Sequence, residues 1–568
     1  MNSSHRNTWI RWAIVVVTLL LKSIVFDKLV GISWEILPQC AAAILIALPV
    51  VWTERKYIIW LVLGIVDLWL IANLMYYRAN HLFLTWQVLT FATNLSGFES
   101  SILQYMDCSL FLPLTVSLLS LPCIFFDTIR FTWRECVFII LLCILFSFDG
   151  AIHRWLKYRN GAYSRLTWEW INPCIVHPRL SDHISQFERQ PNHYIMHHSI
   201  MAYPLYMAND AGKTFLDRSE APELTEEEMH ELAKIVGPIV SPNVPQGNLV
   251  VILLESFESW IMDAKDANGD PVCPELCAYI EKHPVLYTRD LTTQIVYGMS
   301  GDGQMIVNTG LFPTLQGVAC FDYGYNTYPN FAHFYEQSAI VNPCRNVWNQ
   351  NVVTHSYGYQ RLVEPESDET FAWTDSIVID QMMGTISVLT KPCCVMGISI
   401  SSHTPFDRVP DKLMLADTIP PLIRNYMCTA HYTDRQVGRF LAWADTSQVM
   451  QDAVIAITGD HRIFTAWQSE EIRDYGLRAN LPFGTFQAGT PLILIAPGVT
   501  ERKVVEQGAQ VDVFPTILHS IGQGNYYWKG MGHNLWNEPT GTDDEIAIRK
   551  PLSDKLIRMN YFEQYEKQ

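Results

Sequence analysis

Long apolar runs dominate the first part of the chain. Each approaches the roughly 20 residues that an α-helix needs to cross a bilayer. The runs cover residues 9–26, 36–52, 57–75, 110–126 and 131–148. We therefore predict a five-helix transmembrane domain over residues 1–150. Further apolar runs follow the first at once and no small-residue cleavage site ends it, so we interpret the first run as an anchor and not as a cleaved signal peptide.

Basic residues are unevenly distributed between the predicted helices. With five helices, one side of the membrane receives Arg6, Arg11, Arg55, Lys56, Arg130 and Arg134. The opposite loops hold only Lys28 and Arg78. Because basic loops stay in the cytoplasm, we expect a cytoplasmic amino terminus and an extracytoplasmic carboxyl-terminal part. A basic cluster at 154–159 argues against this orientation.

The hydrophobic pattern changes after the predicted membrane domain. Residues 151–246 mix aromatic residues and prolines with a charged, helix-like stretch at 223–236, and we interpret them as a juxtamembrane connector. The glutamates at 226–228 are typical of a solvated face. From residue 247 onward, short apolar runs alternate with longer amphipathic segments, which is typical of an α/β domain with a largely parallel sheet. The predicted buried strands are 249–254, 394–400, 453–457 and 492–495.

Charge and cysteine content narrow the classes of function. The formal net charge is −17 at pH 7 and no basic patch offsets it, which argues against a nucleic-acid partner. Cys273 and Cys277 are spaced so that they could form a bridge or bind a metal. Cys320 and Cys344 could form a disulfide if the domain is extracytoplasmic, where disulfides persist. The sequence leaves these alternatives open.

Polar residues of metal-binding or acid–base type follow three of the predicted strands. Glu255 follows the first, His403 comes shortly after the second, and Asp460 and His461 follow the third. In open α/β sheets, ligands bind beyond the carboxyl ends of the strands, so these residues should converge on one crevice. Singly, each residue is more typical of a surface or turn position. Together they supply the carboxylate and imidazole donors that suit Zn²⁺ or Mn²⁺.

A glycine-rich turn at 297–303 carries a serine. It precedes a helix-like segment that we expect to begin near Gln304. This position places the Ser300 hydroxyl at a helix N-terminus, where backbone N–H groups favour an anion. A serine hydroxyl is a poor nucleophile at neutral pH, so it needs a base or a metal to favour the alkoxide.

These segments, in this order and spacing, resemble the lipoteichoic acid synthase and phosphoglycerol transferase family of membrane-bound, sulfatase-like enzymes in the alkaline phosphatase superfamily. The matching segments are 250–257, 298–302, 401–406 and 459–461, and 511–518 resembles the segment that closes the superfamily's sheet. The resemblance implies an α/β alkaline-phosphatase-like (sulfatase-like) domain over residues 247–568. It also implies a multi-pass protein of the bacterial inner (cytoplasmic) membrane with its catalytic domain on the extracytoplasmic side.

The resemblance implies roles for individual residues. One divalent metal, Mn²⁺ or Zn²⁺, would be bound by Glu255, Ser300, Asp460 and His461. Ser300 stands where the family has a threonine and would be the catalytic nucleophile that forms a covalent intermediate. His403 would act in catalysis and bind the substrate phosphate, and Trp348 would bind the substrate.

The implied reaction transfers a phosphoglycerol or phosphoethanolamine head group from a phospholipid donor to a glycan or glycolipid acceptor. The family's His, Asp and Arg that contact glycerol phosphate match Val341, Pro343 and Gln350, and this departure disfavours phosphoglycerol. The alternative function is a sulfatase-like hydrolase or phosphodiesterase with water as acceptor. A sulfatase requires Pro or Ala and then Arg after its modified residue, and the residues after Ser300 lack both. An inactive membrane sensor is a third alternative, against which the complete Glu, Ser, Asp and His set argues.

Overall fold

The structure, a computed structural model, falls into two compact units. One is formed by residues 1–92 and 98–217, and the other mainly by residues 218–568. The described residues are 3–31, 36–52, 54–80, 83–85, 89, 106–126, 129–142, 195, 199–204, 207–208, 211, 222–237, 246–343, 347–364, 374–404, 406, 409, 412–464, 470–485, 488–523 and 526–566. The domain boundaries at residues 150 and 246 stay predictions.

The amino-terminal unit is helical wherever the structure describes an extended stretch of it. Its α-helices include Ser3–Val30, Ile36–Ile46, Leu48–Val51, Tyr57–Asn80 and Leu112–Val116, and its 3-10 helices include Cys108–Phe111 and Ser117–Phe125. Residues 133–142 are also helical. Pro49 lies at the start of Leu48–Val51 and has no amide hydrogen to continue the preceding helix, so the second predicted run is divided between two helices.

Two helical stretches are long and apolar enough to cross a membrane, among the residues that the structure describes. They are Tyr57–Arg78 and Cys108–Phe125, and they coincide with the third and fourth predicted runs. The spans predicted at 9–26, 36–52 and 131–148 stay predictions. Residues 143–148 of the last run lie outside the described residues.

Two charged residues inside the apolar runs form a buried ion pair in this unit. Nζ of Lys22 contacts Oδ1 of Asp67 and donates to the carbonyl oxygen of Pro113 at 2.6 Å. Oγ of Ser117 donates to Oδ2 of Asp67 at 2.9 Å. Charged groups in an apolar environment require this kind of pairing, which explains how the helices accommodate a lysine and an aspartate.

An eight-stranded sheet forms the centre of the carboxyl-terminal unit. The strands are β1 (Leu249–Leu254), β2 (Leu286–Thr292), β3 (Gln337–Val341), β4 (Arg361–Val363), β5 (Cys393–Ile398), β6 (Val454–Gly459), β7 (Thr490–Ile495) and β8 (Lys503–Ala509). Their order is β4-β3-β5-β1-β6-β7-β2-β8. Strand β7 pairs antiparallel with β6 and β2, and the other pairs are parallel. The prediction of a largely parallel sheet is confirmed.

The central strands are apolar because both of their faces are covered. Every residue of β1, β5 and β6 is buried, which is typical of strands in parallel sheets. Leu253 of β1 lies opposite Ile398 of β5 and Thr458 of β6. The three strands therefore end at the same edge, and the residues that follow them are brought together there.

Eleven α-helices are described in this unit. They are Glu226–Ile235, Pro274–Lys282, Met299–Thr309, Ala319–Asp322, Gln350–Ser356, Asp375–Val388, Pro421–Thr446, Glu470–Arg478, Val513–Ser520, Asp543–Arg558 and Glu563–Glu566. The helix expected near Gln304 begins at Met299, so Ser300 lies in its first turn. The predicted start of the helix near Gln304 was wrong, because Gly301 and Gly303 lie inside the helix and do not interrupt it. The segment 511–518 does not form a strand and lies mostly in the helix Val513–Ser520.

The helix Glu226–Ile235 packs on Asp543–Arg558 through ion pairs. Oε2 of Glu228 accepts from Lys555 at 2.6 Å, and Oε1 of Glu231 accepts from Nε of Arg549 at 2.8 Å. Glu228 is 6% exposed, so the prediction of a wholly solvated glutamate run was wrong at this residue. Its basic partner lies 327 residues away in the sequence, where local charge patterning does not reveal it.

The described cysteines carry free thiols. They include Cys273, Cys277 and Cys320. The structure therefore contains no bridge between Cys273 and Cys277, and neither belongs to the metal-type cluster found among the described residues. Cys344, the other partner suggested for Cys320, lies outside the described residues.

Candidate active site

Glu255 is the first residue after strand β1, and its side chain is buried. Its backbone N–H donates to Oγ of Ser399 at 2.8 Å, which joins the segments that follow β1 and β5. The next residue, Ser256, has a left-handed backbone with φ 50°, and its Oγ donates to Oε1 of Glu255 at 2.8 Å. Such a conformation costs about 1–3 kcal/mol in a non-glycine residue, and this kind of strain is concentrated at functional sites.

Asp460 and His461 directly follow strand β6. Oδ1 of Asp460 accepts the backbone N–H groups of Ser256 and His461, both at 2.7 Å. Nδ1 of His461 lies 2.9 Å from the carbonyl oxygen of Arg462. With Nδ1–H donating to that oxygen, Nε2 faces the carboxylates of Glu255 and Asp460 at 3.4 and 3.6 Å.

Ser300 reaches the same point from the first turn of the helix Met299–Thr309. Its hydroxyl is buried and donates to Oε2 of Glu255 at 3.0 Å. The same oxygen lies 3.2 Å from Nε2 of His461. Met299, which precedes it, has a left-handed backbone with φ 41°. Strained residues therefore lie next to both Glu255 and Ser300.

Two glycines allow this helix to lie close to other parts of the site. A Cβ on Gly303 would lie 2.3 Å from the backbone oxygen of Asp460, a distance that only a glycine avoids. A Cβ on Gly301 would lie 3.2 Å from Cε3 of Trp348. The helix that carries Ser300 thus packs directly against the Asp460 backbone, with the Trp348 ring next to its first turn.

The electrostatics of the cluster favour a cation. Burial alone would lower the pKa of His461, but the charges of Asp460 and Glu255 outweigh it and raise that pKa to about 10. Burial and the charge of Glu255 raise the pKa of Asp460 to about 8. Both effects arise because two carboxylates share one buried site, and a bound cation would relieve their mutual repulsion.

The donor set fits a divalent metal. Glu255, Asp460 and His461 each offer a ligand atom, and these atoms lie within 4.8 Å of one another. Oδ2 of Asp460 is fully buried and has no hydrogen-bond partner among the described residues. An orphaned carboxylate oxygen beside a carboxylate, an imidazole and a hydroxyl matches the coordination that Zn²⁺ or Mn²⁺ requires. The assignment of these four residues as ligands stays a prediction.

His403 lies in the segment that follows strand β5. Its Nδ1 is 2.8 Å from the carbonyl oxygen of Thr404, a contact that orients the imidazole ring. Burial would raise the pKa of Glu255, but a hydrogen bond from His461 and the charges of His461 and His403 lower it to about 2. The charge of His403 thus acts on Glu255. The role of His403 in catalysis and in binding the substrate phosphate stays a prediction.

Two buried acids outside the predicted set of site residues hold the loops of the site. Oδ1 of Asp375 accepts the N–H groups of Ile400 and Ser401 at 2.7 and 2.9 Å, in the segment that leads to His403. Oδ2 of Asp302 accepts those of Val296 and Gly298 at 2.8 and 2.9 Å, in the turn before Ser300. Asp302 could have been identified from its position within the turn motif. Nothing in the sequence identifies Asp375, because its partners are distant in sequence.

The residues that we expect to stand at the family's glycerol-phosphate contact positions are buried. They are Val341, Pro343 and Gln350. Oε1 of Gln350 accepts from Nδ2 of Asn342 at 3.0 Å, and its Nε2 donates to Oγ1 of Thr354 at 3.2 Å. This part of the chain therefore offers neither a cationic nor an acidic side chain at those positions.

Two family models match the chain in succession. The lipoteichoic acid synthase N-terminal domain matches residues 1–160, and the sulfatase model matches residues 305–522. The chain belongs to the lipoteichoic acid synthase family, within the alkaline phosphatase superfamily. The family predicted from the sequence motifs is thereby confirmed. The sulfatase match begins after Ser300, so the predicted nucleophile lies outside the matched range.

Curated relatives carry the family's name. The lipoteichoic acid synthase-like YvgJ of Bacillus subtilis (strain 168) is 25% identical over 296 residues, which are 48% of this chain and 47% of the relative. Lipoteichoic acid synthase 1 of the same organism is 26% identical over 326 residues, which are 53% of this chain and 50% of the relative. The match spans about half the length of these curated relatives.

A solved structure shares the fold over most of the chain. The integral membrane protein lipooligosaccharide phosphoethanolamine transferase A (EptA) from Neisseria meningitidis matches with a TM-score of 0.50 at 12% identity. The match covers 91% of this chain and 96% of that structure. At this identity the likeness shows the fold alone, an α/β sulfatase-like domain together with an amino-terminal helical region.

Proposed function

We propose that this lipoteichoic acid synthase family member transfers a phosphate-linked head group from a phospholipid to a cell-envelope glycan or glycolipid. The observation that carries the proposal is the position of the Ser300 hydroxyl. It lies 3.0 Å from Glu255 and 3.2 Å from His461, beside an orphaned oxygen of Asp460. A buried alcohol among metal-type ligands is the arrangement that nucleophilic catalysis of phosphoryl transfer needs.

Glu255, Ser300, Asp460 and His461 would hold one divalent cation. When bound, such a cation lowers the pKa of a nucleophilic hydroxyl and stabilises negative charge on phosphate oxygens. The protein supplies the position of the hydroxyl, which the helix Met299–Thr309 fixes against the Asp460 backbone. It also excludes water, since all four side chains are buried.

The reaction proceeds in two displacements at phosphorus. Oγ of Ser300 gives up its proton and attacks, a new O–P bond forms, and the bond between phosphorus and the diacylglycerol oxygen breaks. Diacylglycerol leaves as an alcohol after its oxygen takes a proton. A hydroxyl of the acceptor then gives up its proton and attacks the same phosphorus, the bond between phosphorus and Oγ of Ser300 breaks, and Oγ takes a proton. His403 is the residue that we propose binds the phosphate oxygens and carries a proton in these steps.

The head group is phosphoglycerol or phosphoethanolamine. The relatives named lipoteichoic acid synthase support the class of reaction. Val341, Pro343 and Gln350 favour phosphoethanolamine, because the charged contacts expected for glycerol phosphate are replaced by hydrocarbon and a neutral amide. We expect diacylglycerol release from phosphatidylethanolamine to be at least as fast as from phosphatidylglycerol. A strict preference for phosphatidylglycerol would refute this choice of donor.

The proposed location is the inner membrane of a bacterium, with the carboxyl-terminal unit outside the cytoplasm. The two apolar helices Tyr57–Arg78 and Cys108–Phe125 support membrane attachment. A reporter fused after Gln568 is expected to be active only outside the cytoplasm. A cytoplasmic carboxyl terminus would rule out a cell-envelope acceptor.

Diacylglycerol release by the purified full-length chain tests the proposed activity. Release should require Mn²⁺ or Zn²⁺ and should be lost in Asp460→Asn, which also loses bound metal. Ser387→Ala, at an exposed serine of the helix Asp375–Val388, serves as the control and should match the parent. Full activity in Asp460→Asn with stoichiometric metal would contradict the assignment of the site.

A further inference from the structure

Glu258 is a fully buried acid that has no role in the proposed reaction. It lies three residues after Glu255 and is 0% exposed. Its Oε1 accepts the backbone N–H groups of Ile463 and Phe464 at 2.8 and 2.7 Å. These two residues follow His461 along the chain. The carboxylate therefore reaches from the loop after β1 to the loop after β6.

The loop after β6 binds back to the loop after β1. Oδ1 of Asp460 accepts the N–H of Ser256 at 2.7 Å. Each loop thus uses one buried carboxylate to hold the backbone of the other. In the loop after β6 the two contacts flank His461, and in the loop after β1 both follow Glu255, so the relative position of these two ligands depends on both contacts.

Aromatic residues enclose the Glu258 carboxylate. Its Oε2 accepts from Nε1 of Trp260 at 2.6 Å, and its backbone N–H donates to the hydroxyl of Tyr426 at 2.8 Å. That hydroxyl donates to the carbonyl oxygen of Ser256 at 2.9 Å. The Trp260 ring lies 5.8 Å from that of Tyr426 and 6.3 Å from that of Phe464, between centroids. The carboxylate is thus satisfied by protein donors alone, without reaching the metal ligands.

We propose that Glu258 is a positioning residue that sets the metal affinity of the site by holding the loops of Glu255 and His461 together. The inference rests on the proposed metal site. Hydrogen-bonding partners behind metal ligands typically change affinity by about 10–100-fold when they are removed. The contact here acts through the backbone: without it, the loop that carries His461 loses two amide contacts, and the ligand set must be ordered by the metal itself.

Three substitutions of Glu258 separate the effect of the position of its acceptor oxygens from the effect of its charge. Glu258→Gln keeps an oxygen for the N–H groups of Ile463 and Phe464 but removes the charge. Glu258→Asp keeps the charge, yet its side chain is one methylene group shorter and withdraws the oxygens from both amides. Glu258→Met fills the space and provides no acceptor. If Glu258 acts by holding the loop, the metal affinity falls in the order parent, Gln, Asp, Met.

The control is a buried acid of similar construction. Asp434 is 0% exposed, and its carboxylate accepts the N–H groups of Glu275 and Leu276, both at 2.9 Å. It holds the start of the helix Pro274–Lys282, and its hydrogen bonds do not involve the proposed ligands. Asp434→Leu should lower thermal stability and leave the metal affinity of the folded protein unchanged.

The experiment is a calorimetric titration of Mn²⁺ or Zn²⁺ into the full chain, purified in detergent and stripped with a chelator. Thermal unfolding is measured with and without metal. We expect Glu258→Met to weaken binding about 10–100-fold, with Glu258→Asp clearly weaker than the parent and Glu258→Gln near it. The rise in Tm on adding metal should shrink in the Met and Asp variants but not in Asp434→Leu.

Parent-like affinity in Glu258→Asp would overturn the proposal. This variant keeps the charge and is the milder change for folding, so it decides the matter even if Glu258→Met does not fold. The proposal would also be wrong if the Glu258 variants lowered Tm equally with and without metal, so that the metal-induced rise in Tm stayed as in the parent. The role of Glu258 would then be structural only. Asp460→Asn reports on the underlying site: if it retained the metal, the metal site itself would be wrong.

Discussion

Gly303→Ala tests how the fold sets the position of the nucleophile. Gly303 lies in the first half of the helix Met299–Thr309, and an added Cβ would lie 2.3 Å from the oxygen, 2.9 Å from the carbonyl carbon and 3.1 Å from Cα of Asp460. These are backbone atoms and cannot rotate away. Ordinary contact between such atoms needs about 3.5 Å, so the helix and the Asp460 loop must separate by about 1 Å.

The separation moves Ser300 away from its partners. Overpacking of this kind typically destabilises a protein by about 1–3 kcal/mol. An active-site displacement of about 1 Å can lower turnover roughly 100-fold, even though the added methyl group takes no part in the chemistry. We therefore expect Gly303→Ala to lose diacylglycerol release by about two orders of magnitude while still folding.

Gly384→Ala is the matched control. Gly384 lies inside the helix Asp375–Val388, and an added Cβ there would meet nothing within 4 Å. Alanine at this site should stabilise the helix by about 0.5–1 kcal/mol and leave turnover unchanged. Initial rates of diacylglycerol release and thermal melts of both variants provide the comparison. Parent-like turnover in Gly303→Ala would refute the idea that close packing of this helix on Asp460 positions Ser300.

Substitutions at three positions have defined outcomes. Arg549→Met breaks the buried pair with Glu231 and should lower the free energy of unfolding by about 3 kcal/mol in denaturant titration; no change would mean that the helix Glu226–Ile235 is held by other contacts. Ser300→Thr should retain part of the turnover because it keeps the alcohol, whereas Ser300→Cys should retain less because a soft thiolate suits these metals differently; the reverse order would speak against an oxygen nucleophile. Asp375→Leu should raise KM for the phospholipid more than it changes metal affinity, since its amide partners lead to His403, and an unchanged KM would argue against this role.

The edge of the sheet that carries the site could be predicted from the sequence. Continuous apolar runs identify β1, β5 and β6 as buried strands, and parallel strands bring the residues after them to one edge. Glu255, Asp460 and His461 meet there for this reason. Ser300 could be found from its glycine-rich turn, although the helix starts earlier than expected because its glycines serve close packing.

The contacts that hold these loops could not be predicted. Glu258 and Phe464 are 206 residues apart, and Thr433 donates to Asp375 across 58 residues. Only the fold brings such partners together, and a lone acid near a strand end is ordinarily a surface residue. The buried Glu228 illustrates the same limit, since its partner Lys555 belongs to a helix near the end of the chain.

A covalent intermediate on Ser300 is tested by the intact mass of the purified, metal-loaded protein after brief exposure to phosphatidylethanolamine or phosphatidylglycerol without an acceptor. We expect a mass increase equal to one phosphate-linked head group, located by peptide fragmentation on Ser300 and absent in Ser300→Ala, which also releases no diacylglycerol. Release of diacylglycerol by Ser300→Ala at the parent rate, with no adduct on the parent protein, would rule out Ser300 as the nucleophile and show that water or another residue attacks the phosphorus.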